Sequence, residues 1–113
     1  MLTFYHNPRC SKSRQTLKIA ENSGEEINLI NYLLTPPTED ELMEIVEKLG
    51  LPVEYIVRKN ESLFKEKYKG QDISESEWYK ILVENPILIE RPIVLKGDKA
   101  VLGRPPENVE QLL

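Results

Sequence analysis

The first 32 residues contain two strand patterns separated by one helical pattern, and this order constrains the fold more than any other feature. Residues Leu2 to Tyr5 form a short apolar segment, and Ile27 to Tyr32 alternate as a half-buried strand does. Residues Ser11 to Asn22 are helical in pattern and end before a glycine, the usual residue past a helix. This spacing predicts a βαβ unit with parallel strands and a right-handed crossover.

The middle of the chain is predicted to be helical. Thr38 with Glu41 has the capping-box pattern that opens a helix, and Ser74 with Glu77 repeats it further along. The polar stretch of residues 58–72 lies between these two helices and is either an irregular connection or another short helix. We therefore expect no strand in this part of the chain.

The last third changes character. The apolar segments Ile93 to Leu95 and Ala100 to Leu102 flank Lys96-Gly97-Asp98-Lys99, which is a hairpin signal. Pro105 is suited to the first turn of a final helix. The residues expected to pack this helix against the body of the protein are Val109, Leu112 and Leu113.

The order of these elements predicts an α/β fold in a single domain over residues 1–113. A parallel pair of strands and a terminal hairpin make a four-stranded mixed sheet with helices on both faces. This is a thioredoxin-like arrangement with a helical insertion at about residues 36–86. A chain of 113 residues buries enough surface for one core without disulfides.

Composition excludes several classes of protein. No apolar run approaches the ~20 residues of a membrane span, and we expect neither a signal peptide nor a membrane contact. The net charge of -4 does not favour nucleic acid as a partner. A single free cysteine fits a reducing compartment, so we expect a cytoplasmic protein. No cluster of His, Cys or carboxylates has metal-ligand spacing, and neither a metal nor a bound cofactor is expected.

The single cysteine, Cys10, lies where the first strand gives way to the first helix. Unpaired N–H groups and the dipole at a helix N-terminus favour a thiolate and bind anions. Arg9, Lys12 and Arg14 add positive charge, and Ser13 is suited to donate a hydroxyl hydrogen bond to the sulfur. The alternative is a small buried hydrophobe, but the flanking residues favour a reactive thiol.

Cys10 lacks a second thiol nearby, because Ser13 stands where a Cys-x-x-Cys motif has its other cysteine. A disulfide or covalent adduct on Cys10 must therefore be resolved by an external thiol. His6, the only histidine, lies four residues before Cys10. Two roles are open for it: electrostatic stabilisation of the thiolate if it is charged, or a turn histidine bonded to the backbone.

Three arginines, Arg58, Arg91 and Arg104, are candidates for binding an oxyanion. Each lies at the boundary of an apolar segment, and two of them precede a proline. Guanidinium groups make bidentate contacts with oxyanions and stabilise charge that develops during displacement. Solvated arginine is the alternative for any one of them, but their position at strand ends favours anion binding for the set. Pro92 is the candidate for the cis proline that thioredoxin-like sheets often place opposite the active cysteine.

These motifs resemble those of the arsenate reductases linked to glutathione and glutaredoxin, over nearly the whole chain. The matching segments are Tyr5-His6-Asn7-Pro8, Cys10 with Ser13-Arg14, Tyr32-Leu33, Thr35-Pro36-Pro37, Arg58-Lys59-Asn60, Asn85-Pro86-Ile87-Leu88-Ile89, Arg91-Pro92-Ile93-Val94 and Gly103-Arg104-Pro105-Pro106-Glu107. The resemblance implies a thioredoxin-like fold with a helical insertion, and the reduction of arsenate to arsenite. Arsenate or a similar oxyanion is therefore the expected ligand.

The resemblance also assigns roles to six positions: His6, Cys10, Ser13, Arg58, Arg91 and Arg104. It implies that the cysteine attacks arsenate, that the arginines hold the oxyanion, and that the histidine and serine favour the thiolate. It further implies glutathione as the co-substrate that resolves the cysteine–arsenic adduct, and glutaredoxin as the partner that completes the reduction.

Two departures leave the substrate open. Ser11-Lys12 replaces the Gly-Thr pair of well-known arsenate reductases, and those enzymes extend beyond the last helix. One alternative is an Spx-like regulator that binds RNA polymerase, although such proteins carry Cys-x-x-Cys. The other alternative is a monothiol, glutathione-dependent thiol oxidoreductase.

Overall fold

The computed structural model describes residues 1–113 as a four-stranded sheet with helices. The strands are β1 (Leu2–His6), β2 (Ile27–Asn31), β3 (Ile93–Lys96) and β4 (Lys99–Leu102). The α-helices are α1 (Ser11–Asn22), α2 (Glu39–Leu49), α3 (Ser62–Lys67) and α4 (Glu75–Glu84). Short 3-10 helices cover Val53–Ile56, Pro86–Leu88 and Pro106–Leu112. None of the helices combines the length and apolarity needed to cross a membrane.

The sheet is mixed and has the strand order β2-β1-β3-β4. β1 is parallel to β2, with Phe4 opposite Leu29, and antiparallel to β3, with Phe4 opposite Val94. β3 and β4 form the expected hairpin, in which Gly97 adopts φ 61°, a left-handed conformation that glycine adopts without steric cost. The predicted thioredoxin-like sheet is confirmed.

Helices cover both faces of the sheet, as predicted, because alternate side chains of β1 and β3 point in opposite directions. Tyr5 and Ile93 contribute to a larger core with residues of the helical segment, including Leu42, Ile45, Trp78 and Leu82. Leu2, Phe4 and Val94 face the other side, where they form a smaller core with Ala20, Val109 and Leu112. The sheet therefore holds α1 and the last 3-10 helix on one side, and α2 and α4 on the other.

The helical region between β2 and β3 is capped largely as expected. Thr38 and Glu41 form a complete, reciprocal capping box at the start of α2. Ser74 caps α4 by accepting from the Glu77 N–H. The capping box predicted here is only half formed, because the reciprocal bond from the Ser74 N–H to the Glu77 carboxylate is not made. The Glu77 carboxylate accepts the Ser74 hydroxyl instead of the Ser74 N–H. α3 settles the choice for residues 58–72 in favour of a short helix.

The C-terminal helix differs from the prediction in type and in start. It is a 3-10 helix in which Pro106 takes the first position, while Pro105 precedes it in an extended conformation after a cis bond to Arg104. The ring of Pro106 disfavours a helical conformation of the residue before it, so Pro105 stays extended and the helix begins at Pro106. Leu112 is buried as expected, but Leu113 is 44% exposed, which corrects its assignment to the core.

Candidate active site

The loop between β1 and α1 is held by hydrogen bonds among its own residues. Cys10 is the N-cap of α1 and has an extended backbone. Its N–H donates to the Asn7 carbonyl over 3.0 Å, and its carbonyl accepts from Arg14 N–H over 3.0 Å. The Asn7 side chain accepts from the Arg9 N–H. Cys10 is partly exposed, so the expected position of the thiol at an accessible helix N-terminus agrees with the structure.

Ser13 contacts His6 and Asn7, whereas the sequence suggested a hydrogen bond to the sulfur. The Ser13 Oγ lies 2.6 Å from His6 Nδ1 and accepts from the Asn7 N–H over 3.1 Å. Ser13 is fully buried, and His6 and Asn7 are buried beside it. The serine therefore joins the end of β1 to the first turn of α1, and it fixes the path of the loop that carries Cys10.

The surroundings of His6 disfavour its protonated form. Burial lowers the pKa of His6, and the Arg14 guanidinium lowers it further, against an opposing effect of Glu21. A neutral imidazole does not supply the positive charge that the sequence argument offered as one role for this residue. The alternative of a turn histidine bonded to the backbone does not describe it either, because its Nδ1 faces the Ser13 hydroxyl. His6 thus acts on the cysteine loop through its hydrogen bond with Ser13.

Two of the three candidate arginines meet at a carboxylate. Glu90 Oε1 lies 3.3 Å from Arg58 Nε, and Glu90 Oε2 lies 3.7 Å from Arg104 Nε. Arg58 also pairs with Glu61 over 2.8 Å. Glu90 was not predicted from the sequence, although it is the acidic residue directly before Arg91-Pro92 in an otherwise apolar stretch. The arginine cleft therefore contains its own negative charge.

This arginine cleft has a volume of about 310 Å³. Its lining residues are Glu54, Val57, Arg58, Lys59, Asn60, Glu90 and Arg104. Cys10 is not among them, so the sulfur does not line the cleft that Arg58 and Arg104 share. The cleft is large enough for a tetrahedral oxyanion, and its charged walls suit one.

Arg91 has a different environment. Its Nε is buried and is the one buried side-chain nitrogen or oxygen without a hydrogen-bond partner. Its carbonyl accepts from Arg104 Nη1 over 3.1 Å, which joins the two arginines through the backbone. A buried N–H left unpaired costs free energy that an anionic acceptor would recover. The side chain of Arg91 is therefore suited to an oxyanion ligand.

Tyr32 links the cysteine loop to the arginine cleft electrostatically. Burial raises the pKa of Tyr32 far above its usual range; Cys10 and Glu90 add to this increase, and Arg58 opposes it. The Tyr32 hydroxyl itself donates to the Ile89 carbonyl over 3.4 Å. The pKa of this one buried hydroxyl thus depends on charges in both the cysteine loop and the arginine cleft.

Close packing at Gly103 brings α1 to the end of the hairpin. A Cβ at this position would lie 2.6 Å from both Thr16 Oγ1 and Pro92 Cγ, so only glycine fits without a shift. The Thr16 hydroxyl also approaches the Gly103 carbonyl over 3.3 Å. Pro92 follows a cis peptide bond, as the fold suggested. This contact sets the distance between the helix that carries Cys10 and the segment that carries Arg104.

Comparisons with known proteins agree with the resemblance carried by the motifs. The ArsC family model matches residues 5–112. An arsenate reductase of Haemophilus influenzae is 44% identical over 111 residues, which cover 96% of each chain. An arsenate reductase of Escherichia coli is 40% identical over 99% of this chain and 80% of its own length. The solved structure of an arsenate reductase from Vibrio cholerae superimposes with a TM-score of 0.95 at 43% identity, and covers 99% of this chain and 97% of its own.

Proposed function

The chain belongs to the ArsC family, and on this premise we propose that it reduces arsenate to arsenite through the thiolate of Cys10. The observation that carries the proposal is the position of this lone cysteine. It is partly exposed and caps the N-terminus of α1, where backbone N–H groups favour both a thiolate and an oxyanion. The similarity to proteins named arsenate reductase over the full length identifies arsenate as the substrate to test first.

The first step is a displacement at arsenic. The Cys10 Sγ forms a bond to arsenic, and one arsenate oxygen takes up protons and leaves as water. The N–H groups of the first turn of α1 stabilise the negative charge on the remaining oxygens. The loop bonds around Asn7 support this role, because they hold the N-cap in place without using the sulfur.

His6 and Ser13 favour the thiolate by positioning the loop. Ser13 holds the first turn of α1 against β1 through His6 and Asn7. Burial lowers the pKa of His6, which disfavours a direct effect of an imidazolium charge on the thiolate.

Arg58, Arg91 and Arg104 bind the oxyanion. Arg58 and Arg104 line the same cleft; Arg91 does not line it, but its carbonyl is bonded to Arg104 and its buried Nε has no partner. Guanidinium groups supply both the fork geometry and the charge for a tetrahedral anion. Cys10 is not part of the cleft wall, so substrate binding brings the anion between the cleft and the helix N-terminus.

Thiols from outside the chain supply the two electrons. The chain has no second cysteine, so glutathione attacks the cysteine–arsenic adduct and glutaredoxin completes the reduction. Arsenic passes from arsenic(V) to arsenic(III), while two thiols are oxidised to one disulfide. We propose glutathione as co-substrate, glutaredoxin as partner and the reducing cytoplasm as the location on this chemistry.

A coupled assay tests the proposal. The purified protein is supplied with glutathione and glutaredoxin and given arsenate, phosphate or a glutathionylated peptide, while mass spectrometry follows adducts on Cys10. We expect arsenite from arsenate, no turnover with phosphate, and a dependence on both thiol components. Reduction of the glutathionylated peptide without arsenite formation would instead identify a monothiol oxidoreductase.

A further inference from the structure

Glu90 lies between two arginines, and backbone hydrogen bonds hold its segment beside that of Arg58. Val57 and Ile89 form an antiparallel bridge. On either side of it, the Arg58 N–H donates to the Leu88 carbonyl and the Glu90 N–H donates to the Ile56 carbonyl, both over 2.7 Å. This bridge places Arg58 opposite Leu88 and Glu90 opposite Ile56, so Arg58 and Glu90 are diagonal neighbours on the same face, within reach of their long side chains.

The second arginine reaches the same carboxylate from the hairpin. Arg104 is anchored by its Nη1 on the Arg91 carbonyl, and its Nε faces the other oxygen of Glu90. The side chains of Glu90 and Arg104 are only 23% and 29% exposed. Water therefore screens this contact less than it screens an ion pair on the open surface.

An oxyanion bound by Arg58 and Arg104 must lie close to the charge of Glu90, or displace it. The repulsion between two anions rises in proportion to the charge on the ligand. A doubly charged tetrahedral anion consequently loses more affinity to Glu90 than a singly charged anion of the same shape. The Glu90 carboxylate competes with the ligand for the two arginines, and it lowers the affinity of a dianion more than that of a monoanion.

We propose that Glu90 is a specificity-determining residue of the arginine cleft, which selects oxyanions by charge through its contacts with Arg58 and Arg104. The inference rests on the proposed function because it concerns the same oxyanion site. It adds that the chain's own carboxylate sets the balance between dianions and monoanions. In its absence the cleft binds dianions more tightly, both absolutely and relative to monoanions.

Titration with two inert tetrahedral anions tests the charge dependence. Sulfate carries two charges and perchlorate carries one, and neither titrates near neutral pH. In Glu90→Gln, which keeps the size and one oxygen acceptor, we expect the dissociation constant for sulfate to fall on the order of tenfold and that for perchlorate by about threefold. Chemical shifts of the arginine Nε–H groups report binding directly, and Glu90→Asn serves as a second neutral variant.

Glu54→Gln is the matched control. Glu54 lines the same cleft, but its carboxylate pairs with Lys59 over 3.6 Å and both side chains are more than half exposed. This control removes the same charge without touching the arginine pair, so we expect less than about a twofold change for either anion.

The results separate a charge effect from a merely structural one. Four outcomes would overturn the inference. The Glu90 variants could gain equal affinity for sulfate and perchlorate, or bind sulfate more weakly than the unmodified protein. No variant could bind either anion detectably, or Glu54→Gln could show the same gain as the Glu90 variants. These titrations need no turnover. A protein that forms no arsenite but shows the charge dependence would contradict the proposed function alone.

Discussion

The two halves of the site are built in opposite ways. The hydrogen bonds of the cysteine loop join residues no more than seven positions apart, as His6 and Ser13 are. The arginine cleft joins segments far apart in the chain, with Arg58 and Arg104 meeting only at Glu90. A locally built loop keeps its geometry when distant residues change. A cleft assembled by the fold can change its charge without disturbing the nucleophile.

This difference implies that chemistry at the sulfur and selection of the anion are separable. Cys10 does not line the arginine cleft, and the hydrogen bonds around it come from its own loop. Tyr32 is the buried group that senses charge from both halves. Substitutions in the cysteine loop should therefore leave the anion affinity of the arginine cleft nearly unchanged, and substitutions in the cleft should leave the reactivity of Cys10 nearly unchanged. Any effect of one on the other measures how strongly the two are coupled.

Replacement of the nucleophile has the largest expected effect. In Cys10→Ser, we expect arsenite formation in the coupled assay to fall by at least about a thousandfold, because the hydroxyl is a far weaker nucleophile than a thiolate. Sulfate affinity should stay within about twofold of the unmodified protein. Substantial turnover by the variant would remove Cys10 from the reaction, and loss of sulfate binding would show that the two halves are one unit.

Removal of an arginine should produce the reverse pattern. In Arg104→Ala, the affinity for arsenate should fall by about tenfold to a hundredfold, since a hydrogen bond to a charged group contributes roughly 1.5–3 kcal/mol. The rate at which iodoacetamide alkylates Cys10 should change by less than about twofold. Titration and alkylation kinetics measure the two effects on the same sample.

Arg104→Lys is the matched control for this variant. It keeps the charge but loses the planar fork and the bond to the Arg91 carbonyl, so it should recover only part of the affinity. Full recovery would mean that the cleft uses charge alone. A large change in alkylation in either variant would contradict the separation of the two halves.

The same contrast explains what the sequence could predict. The βαβ unit, the hairpin and the position of Cys10 at a helix N-terminus follow from local patterns, and the structure agrees with them. Glu90 was missed because nothing in the spacing of residues 58, 90 and 104 shows that their side chains meet. That contact depends on the bridge between Val57 and Ile89, which forms only in the folded chain.

Partner choice within an element was also beyond the sequence. The Ser13 hydroxyl had two possible directions, toward the sulfur or toward β1, and only the packed structure brings His6 within 2.6 Å. The Glu77 carboxylate accepts from the Ser74 hydroxyl and not from the Ser74 N–H, at an exposed helix start where side chains are free to rotate. Patterns identify the groups that can bond, while tertiary packing decides which of them do.

A substitution at Ser13 tests how firmly the loop is locked. In Ser13→Ala, His6 Nδ1 and the Asn7 N–H lose their shared partner inside the protein. An unsatisfied buried polar group costs about 1–3 kcal/mol, so we expect the free energy of unfolding in urea to fall by that order. Ser11→Ala, at the exposed first position of α1, should change it by less than about 0.5 kcal/mol. Equal effects of the two variants would mean that the loop does not depend on Ser13.

The titration of His6 has the smallest expected effect and tests the same contact from its other side. The folded pKa of His6 is lowered from about 6.5 in an unfolded chain, mainly by burial. Below about pH 6.5 the unfolded chain binds a proton more readily than the folded protein does, so stability falls on acidification from that pH down through the folded pKa. Above about pH 6.5 both states are neutral and His6 contributes no slope.

Urea unfolding of the unmodified protein and of His6→Asn across this range should give a stability difference that shrinks as the pH falls. A difference that stays constant would mean that folding leaves the pKa of His6 unchanged. A difference that grows on acidification would mean that the folded protein binds the proton more tightly and that Ser13 is bonded to a cation.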